Sequence, residues 1–373
     1  MKQKRVLSIL VMIIFLSLGI VFLSSCDKGR QTEKEIIKIG AILPLTGNLS
    51  YLGEPGKNVI QMLEEDMALN NLKIELYDSQ ASPKMAISAF QKAVQIDKIK
   101  IFLTTLTGVS EAIKPLAKNE SAMQGIIAIF PKIAEDNPLT FQICYNAENE
   151  INEIIKYLTK NEYKKVFVFQ SRDAISKIEA EEYLRKFAKE NNIEMVVEEF
   201  DIGSKAFSDI VSKYISSNAE IGILLGYGSD FQGILKEIAS RQIDDYKLIG
   251  GIGFLELPDY TTYEIVKNCV FTAPKAMIKG FENETFLAFK EKYKKRFNKE
   301  VTYDAAYTYD GLIAIMKAVN SLGTGDPNKI SEFLLNNKTE GITGEVMFSP
   351  QGTLITKVGL ASFNKEMEMI EVK

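Results

Sequence analysis

Short apolar runs recur along this chain, with amphipathic stretches between them. The first in the body, Ile36-Ile37-Lys38-Ile39 continuing through Gly40-Ala41-Ile42-Leu43, reads as a strand. So do Lys73–Tyr77, Lys100–Leu103, Gly125–Phe130, Lys165–Phe169, Ile193–Val197, Gly222–Leu225 and Leu248–Gly251. Each is brief and rich in Ile, Val, Leu or Phe, the composition of strands buried on both faces of a parallel sheet. Between them Val59, Ile60, Leu63 and Met67 recur at helical spacing, as do Ile151, Ile154, Ile155 and Leu158, and Tyr183, Leu184 and Phe187. Ser82-Pro83 places an N-cap residue before a proline at the first helical position. This strand–helix alternation predicts an α/β fold with parallel sheets covered by helices on both faces. The series runs on for more strands than one small sheet needs, which predicts two α/β lobes.

The amino-terminal pattern is different. Lys2, Lys4 and Arg5 precede a nearly unbroken apolar run from Val6 to Leu23, followed by Ser24-Ser25-Cys26 and then polar residues. A basic start, an apolar core and small residues before a break mark a secretory signal over residues 1–25. Leu23-Ser24-Ser25-Cys26 resembles the lipobox of bacterial lipoproteins, which implies cleavage before Cys26, lipid on its sulfur and a tether over residues 26–35. The alternative is an uncleaved span, because the run just reaches the roughly 17-residue lower limit for crossing a bilayer.

Composition narrows the chemistry. Loss of residues 1–25 takes the formal charge from −4 to about −7. That mild acidity, with both signs interspersed, argues against nucleic acid as a partner. The chain has no histidine, which removes every Ser-His, Cys-His and His-metal arrangement. Beyond Cys26 only Cys144 and Cys269 remain, too far apart for a CxxC redox or zinc site. Export permits a disulfide between them, with two buried free thiols as the alternative. No phosphate-binding loop or dinucleotide fingerprint occurs, so neither an enzyme nor a cofactor or metal is expected.

Several segments, in order, resemble the type I periplasmic binding proteins of the branched-chain amino-acid (leucine-binding) family, the solute receptors of ABC importers. They are Ile37 to Gly47, Gly53-Glu54 with Asn58, Asp78 with Pro83 and Ala86, and Gly226-Tyr227-Gly228-Ser229-Asp230. Asp304-Ala305-Ala306-Tyr307-Thr308-Tyr309-Asp310 and Gly341-Ile342-Thr343-Gly344-Glu345-Val346-Met347-Phe348 complete the set. The resemblance implies two Rossmann-like lobes joined by three crossovers. Residues 36–143 with 275–345 would form the first lobe, and 144–274 with 346–373 the second. Cys144 and Cys269 would then lie near neighbouring crossovers. It also implies a small polar ligand, an ABC permease as partner and a lipid-anchored position facing the periplasm or the exterior. A sensor working with a separate signalling chain is the alternative.

Ligands of parallel sheets collect beyond the carboxyl ends of strands. The loops that qualify are Thr46–Gly53, Thr104–Gly108, Gln170–Ile175 and Gly226–Asp230, joined by Tyr303–Tyr307. Thr104, Thr105 and Thr107 offer hydroxyls near a helix start that could receive a carboxylate, simple helix capping being the alternative. The resemblance makes Tyr227 a cleft residue and puts Tyr303 and Asp304 where another cleft residue falls. Family members that bind α-amino acids hold the ammonium with an acid at the position of Ile252, so leucine specificity does not follow. Asp304 or Asp173 could substitute, whereas Arg172 and Lys132 would suit an anion if they are not simply solvated.

Overall fold

The computed structural model describes residues 36–66, 72–257 and 262–372. Cys26, its leader and its tether lie outside them, as does Met67. Residues Ile37–Lys373 form one compact unit, whose described part contains two principal sheets.

The first sheet contains β1 (Ile37–Leu43), β2 (Leu72–Asp78), β3 (Ile101–Thr105), β4 (Met123–Ile127) and β5 (Thr140–Gln142). Its order is β2-β1-β3-β4-β5 and every pairing is parallel. Alternation along β1 explains how both faces are covered. Ile39, Ala41 and Leu43 face one core with α1 (Glu54–Asp66), whereas Ile42 faces another with α2 (Pro83–Gln95) and α3 (Thr107–Asn119). Ser82 does precede α2 and Pro83 opens it, yet the Ser82 side chain makes no capping hydrogen bond.

The second sheet repeats the plan. β6 (Lys165–Ser171), β7 (Glu194–Phe200), β8 (Ile221–Leu225), β9 (Leu248–Gly250) and β10 (Cys269–Pro274) run parallel in the order β7-β6-β8-β9-β10. Val166, Val168, Ile221 and Ile223 pack toward α4 (Ala147–Lys160), joined there by Ala180 and Leu184. The short helices α5 (Ala174–Ile178) and α6 (Arg185–Glu190) flank a π-helical turn, Glu179–Leu184, that supplies these two residues. Phe167, Phe169 and Leu224 pack oppositely, toward α7 (Ser208–Ser217) and α8 (Gly228–Ser240).

After β10 and the short α9 (Tyr263–Val266) that precedes it, the chain returns to the first sheet. There α10 (Glu284–Phe297), α11 (Tyr303–Leu322) and α12 (Pro327–Asn336) lead to an antiparallel pair, β11 (Thr339–Gly341) and β12 (Gly344–Val346). α11 packs against α1, β3 and β4, and so many of its residues are buried that it is apolar nearly all round, as an interior helix must be. Residues through Leu354 still follow the first sheet, since Gln142 donates to the Gly352 carbonyl and accepts from the Leu354 amide. The chain then adds β13 (Val358–Phe363) and β14 (Met369–Glu371) antiparallel beyond β10, so the second sheet is mixed rather than wholly parallel. The chain thus passes between the sheets three times, after β5, after β10 and before β13.

Two sequence motifs are explained by one contact. Asp310 of α11 accepts from the Ile342 amide at 2.6 Å and the Thr343 amide at 3.0 Å, and from the Thr343 hydroxyl. The buried carboxylate therefore holds the turn between β11 and β12. Burial pushes its pKa up to about 6, against the opposing effect of those donors.

Of the two readings of the cysteine pair, the structure has the free thiols. Cys144 and Cys269 are both buried and both free. Cys144 follows β5 and faces the Tyr303 hydroxyl, and its neighbour Tyr145 reaches Glu150. Cys269 opens β10, and Thr272, three residues and about 10 Å further along that strand, is the one that also reaches Glu150. The two thiols have different neighbours, Tyr303 for Cys144 and Tyr214 with Tyr246 for Cys269, and no bond joins them. Burial raises the Cys144 thiol to about 12 and the Cys269 thiol further.

Candidate functional site

In both sheets the strand order reverses beside the first strand, and the loops leaving the carboxyl ends there open a crevice. These loops surround a cavity of about 70 Å³, several times the roughly 10–15 Å³ that one water requires. Leu106 and Thr107 enter it from β3, Ile127 to Ile129 from β4 and Asp173 with Ile175 from β6. Gly226 and Tyr227 follow β8, Gly251 and Ile252 follow β9, and Tyr303 and Asp304 come from the first turn of α11.

Four of the expected loops therefore contribute. The fifth, Thr46–Gly53, supplies no lining residue but closes the side of the crevice: the Tyr51 hydroxyl lies 3.3 Å from Ser229 Oγ and accepts from the Ser229 amide at 3.4 Å. Gly226 adopts φ +151°, and a Cβ there would stand 2.9 Å from that of Ser171, so the turn aiming Tyr227 at the cavity requires glycine.

The sequence-derived candidates separate. Thr107, Tyr227, Tyr303 and Asp304 line the cavity. Thr104 lies beneath it in a core network, 2.8 Å from Ser110 Oγ and accepting from Gln124 Nε2 at 3.1 Å. Thr105 is buried at the end of β3 and does not line the space. Arg172 is half exposed and points away, paired with Glu199 at 3.2 Å and Asp201 at 2.8 Å. Lys132 does not line the cavity either. Asp173 does, but its carboxylate caps α5, accepting from the Ile175 and Ser176 amides and the Ser176 hydroxyl at 2.7–3.0 Å.

Three lining acids escaped the sequence reading: Glu150, Glu179 and Glu256. Glu150 lies in the first turn of α4, fixed by a reciprocal Asn146–Asn149 capping box. Its Oε2 accepts from the Ile252 amide at 2.8 Å, the Thr272 hydroxyl at 2.9 Å and the Tyr145 hydroxyl at 3.4 Å. A signal did exist, because Glu150 falls four residues before Ile154 and eight before Leu158, on the buried stripe of the helix. Glu179 begins the π-helical turn, a distortion frequent at functional sites. Glu256 ends the 3-10 turn Ile252–Glu256 and accepts from the Gly228 amide.

Electrostatics bind these groups together. Burial raises the Glu150 carboxyl, while its three donors and the neighbouring Glu179 carboxyl oppose the rise. Glu179 is raised well above the carboxylate range by burial, then by the charges of Glu150 and Asp173. The proton shared by this pair therefore resides on Glu179. Glu256 is raised well above its ordinary value by desolvation, then by Asp304 and Glu150, and burial brings Asp304 to about 7. Below the cavity, Tyr303 makes edge contacts with Tyr145 at 5.7 Å and Tyr307 at 4.9 Å between ring centroids. Tyr307 thus packs the floor rather than the cavity wall.

Among the described residues no cluster of acids or thiols converges as a metal site, and no helix is long and apolar enough to cross a membrane. The geometry is that of a crevice with room for a small solute, and its lining residues include no nucleophile–base pair.

Comparison with known proteins agrees. A leucine-, isoleucine-, valine-, threonine- and alanine-binding protein of Pseudomonas aeruginosa is 22% identical over 358 residues, covering 91% of this chain and 92% of the relative. A Leu/Ile/Val-binding protein homologue of Brucella melitensis is 28% identical over 219 residues, 56% of this chain and 58% of its own length. The crystal structure of a leucine-binding protein from Thermotoga maritima superposes with a TM-score of 0.79 at 22% identity, covering 91% of this chain and 98% of its own. An ABC-transporter solute-binding protein of Rhodopseudomonas palustris, solved with 3,4-dihydroxybenzoic acid, superposes at 0.78 with 18% identity, covering 90% and 96%. Residues 36–367 match the periplasmic binding protein family. The two sheets, the crevice between their carboxyl ends and this match together make the chain a member of the type I periplasmic binding protein family, extracytoplasmic proteins that bind solutes rather than transform them.

Proposed function

We propose that this chain is a lipid-anchored receptor that captures a small solute between two lobes and delivers it to an ABC permease. The observation that carries the reading is the cavity at the carboxyl ends of both sheets, lined among others by Thr107, Tyr227, Tyr303 and Asp304. Lobes built on the two sheets would hinge near the three passages and close on the solute. The Tyr51–Ser229 contact is the kind of bond that such closure makes. The Leu23-Ser24-Ser25-Cys26 sequence supports lipidation at Cys26. A membrane anchor would keep the receptor close to its transporter. The relatives named above take aliphatic amino acids or an aromatic acid on the same fold, so the family does not by itself fix the ligand.

Thermal melting against amino acids, amines, amides, short carboxylates and nucleosides tests solute capture, because a ligand must raise the midpoint by mass action. A flat response across the panel would overturn it. Cys26→Ala tests the anchor: membrane association is expected to be lost, and unchanged association would refute lipidation.

A further inference from the structure

We propose that the solute is a small organic amine carrying net positive charge, an assignment that rests on the solute-capture reading and narrows it. Four acids not committed to capping, Glu150, Glu179, Glu256 and Asp304, line the cavity, and no lysine or arginine among the described residues does. Acids alone would be a weak argument, but two of these carboxyls are incomplete. Glu179 is 2% exposed, yet its Oε1 has no hydrogen-bond partner, and Glu256 Oε2 has none either. Buried polar atoms are rarely left unpaired, so these oxygens point to a donor that arrives with the ligand.

The donor's nature follows from its surroundings. A metal ion is disfavoured because the carboxylates do not converge into a coordination shell. Ile127, Ile129, Ile175, Leu224 and Phe231 line the remaining wall and suit a short hydrocarbon body. A zwitterion's carboxylate would find no cationic side chain in the lining, only the Thr107 hydroxyl and backbone amides. An anion would bring no donor to the unpaired Glu179 and Glu256 oxygens and would meet no cationic side chain. An alkylammonium or short diamine satisfies both the unpaired oxygens and the apolar wall.

Calorimetric titration of the full chain in detergent with n-butylamine, 1,4-diaminobutane, 1,5-diaminopentane, isoleucine and benzoate tests this. At least one amine is expected to bind ten times more tightly than isoleucine or benzoate. Glu179→Gln should weaken that amine at least tenfold, and Glu256→Gln provides a second variant should the first fail to fold. If isoleucine or benzoate binds more tightly than every amine, the amine assignment is overturned while solute capture stands. If an amine binds but neither variant weakens it, the assignment to these carboxyls is overturned. Absence of binding by all three ligand classes overturns the amine assignment, and solute capture then stands or falls on the wider melting panel.

Discussion

The amide of Ile252 donates to the carboxylate of Glu150 at 2.8 Å. Ile252 occupies the position where the family resemblance leads one to expect an acid, and its backbone instead anchors an acid supplied by α4. The carboxylate at this corner of the cavity thus comes from a different element, more than a hundred positions earlier in the chain. The closeness of the two segments depends on Gly251, where a Cβ would fall 1.7 Å from Glu150 Oε1.

Gly251→Ala should therefore displace Glu150 and break its bonds to Ile252 and Thr272. Overpacking of this kind costs about 1–3 kcal/mol, and urea unfolding should show a loss in that range. The loss should be smaller when Glu150→Ala is added. Equal losses in both backgrounds would mean that the clash is absorbed elsewhere.

Asp310→Ala should lower stability by about 2–3 kcal/mol, because it strips a buried turn of three charge-assisted acceptances. Solute affinity should change little, since Asp310 does not line the cavity. Denaturant unfolding beside ligand titration separates the two effects.

The lining acids give the empty protein a defined pH response. Asp304 is raised from 3.8 to about 7, so between these values the folded state holds more protons than the unfolded state. Stability contributed by such a group is greatest at low pH and falls as pH rises through the folded pKa. The melting temperature should accordingly decline from pH 5 to pH 8, with Glu179 and Glu256 adding to the fall. Asp304→Asn should flatten the profile, and an unchanged slope in that variant would remove Asp304 from the account.

Tyr51→Phe should accelerate solute release about threefold to tenfold, as expected for loss of about 1 kcal/mol of hydrogen bonding that holds the crevice shut. Stopped-flow dissociation provides the readout. An unchanged release rate would show that the Tyr51–Ser229 contact does not limit opening.

The fold was largely readable because buried parallel strands are short, unbroken apolar runs, and each of the eight runs from Ile36 to Gly251 overlaps one of β1–β4 and β6–β9, Gly125–Phe130 sharing only its first three residues with β4. What escaped lacks that signature. β5 contains Thr140 and Gln142 in only three residues, and β10 ends in Pro274. β13 and β14 join an edge antiparallel and are only partly buried, which a parallel reading does not anticipate. The cavity was half readable. Tyr227 and Asp304 follow from the family resemblance within loops at the strand ends, but Glu150 requires noticing an acid on an apolar stripe. Glu179 requires knowing that its helix changes winding. Arg172 misled because its partners, Glu199 and Asp201, lie on and just beyond the neighbouring strand β7, a pairing invisible along the sequence.

The π-helical turn beginning at Glu179 has a consequence for how such a site can diversify. A widened turn accommodates one more residue than an α-helix would, and each residue of an α-helix accounts for about 100° of rotation. Removing one residue from Glu179–Leu184 would restore ordinary winding, and the residues after it, Leu184 among them, would turn by about 100° relative to Glu179. Glu179 could then no longer face the cavity while Leu184 faces the core of the second sheet. A single-codon length difference at this turn would therefore set ligand contact against packing.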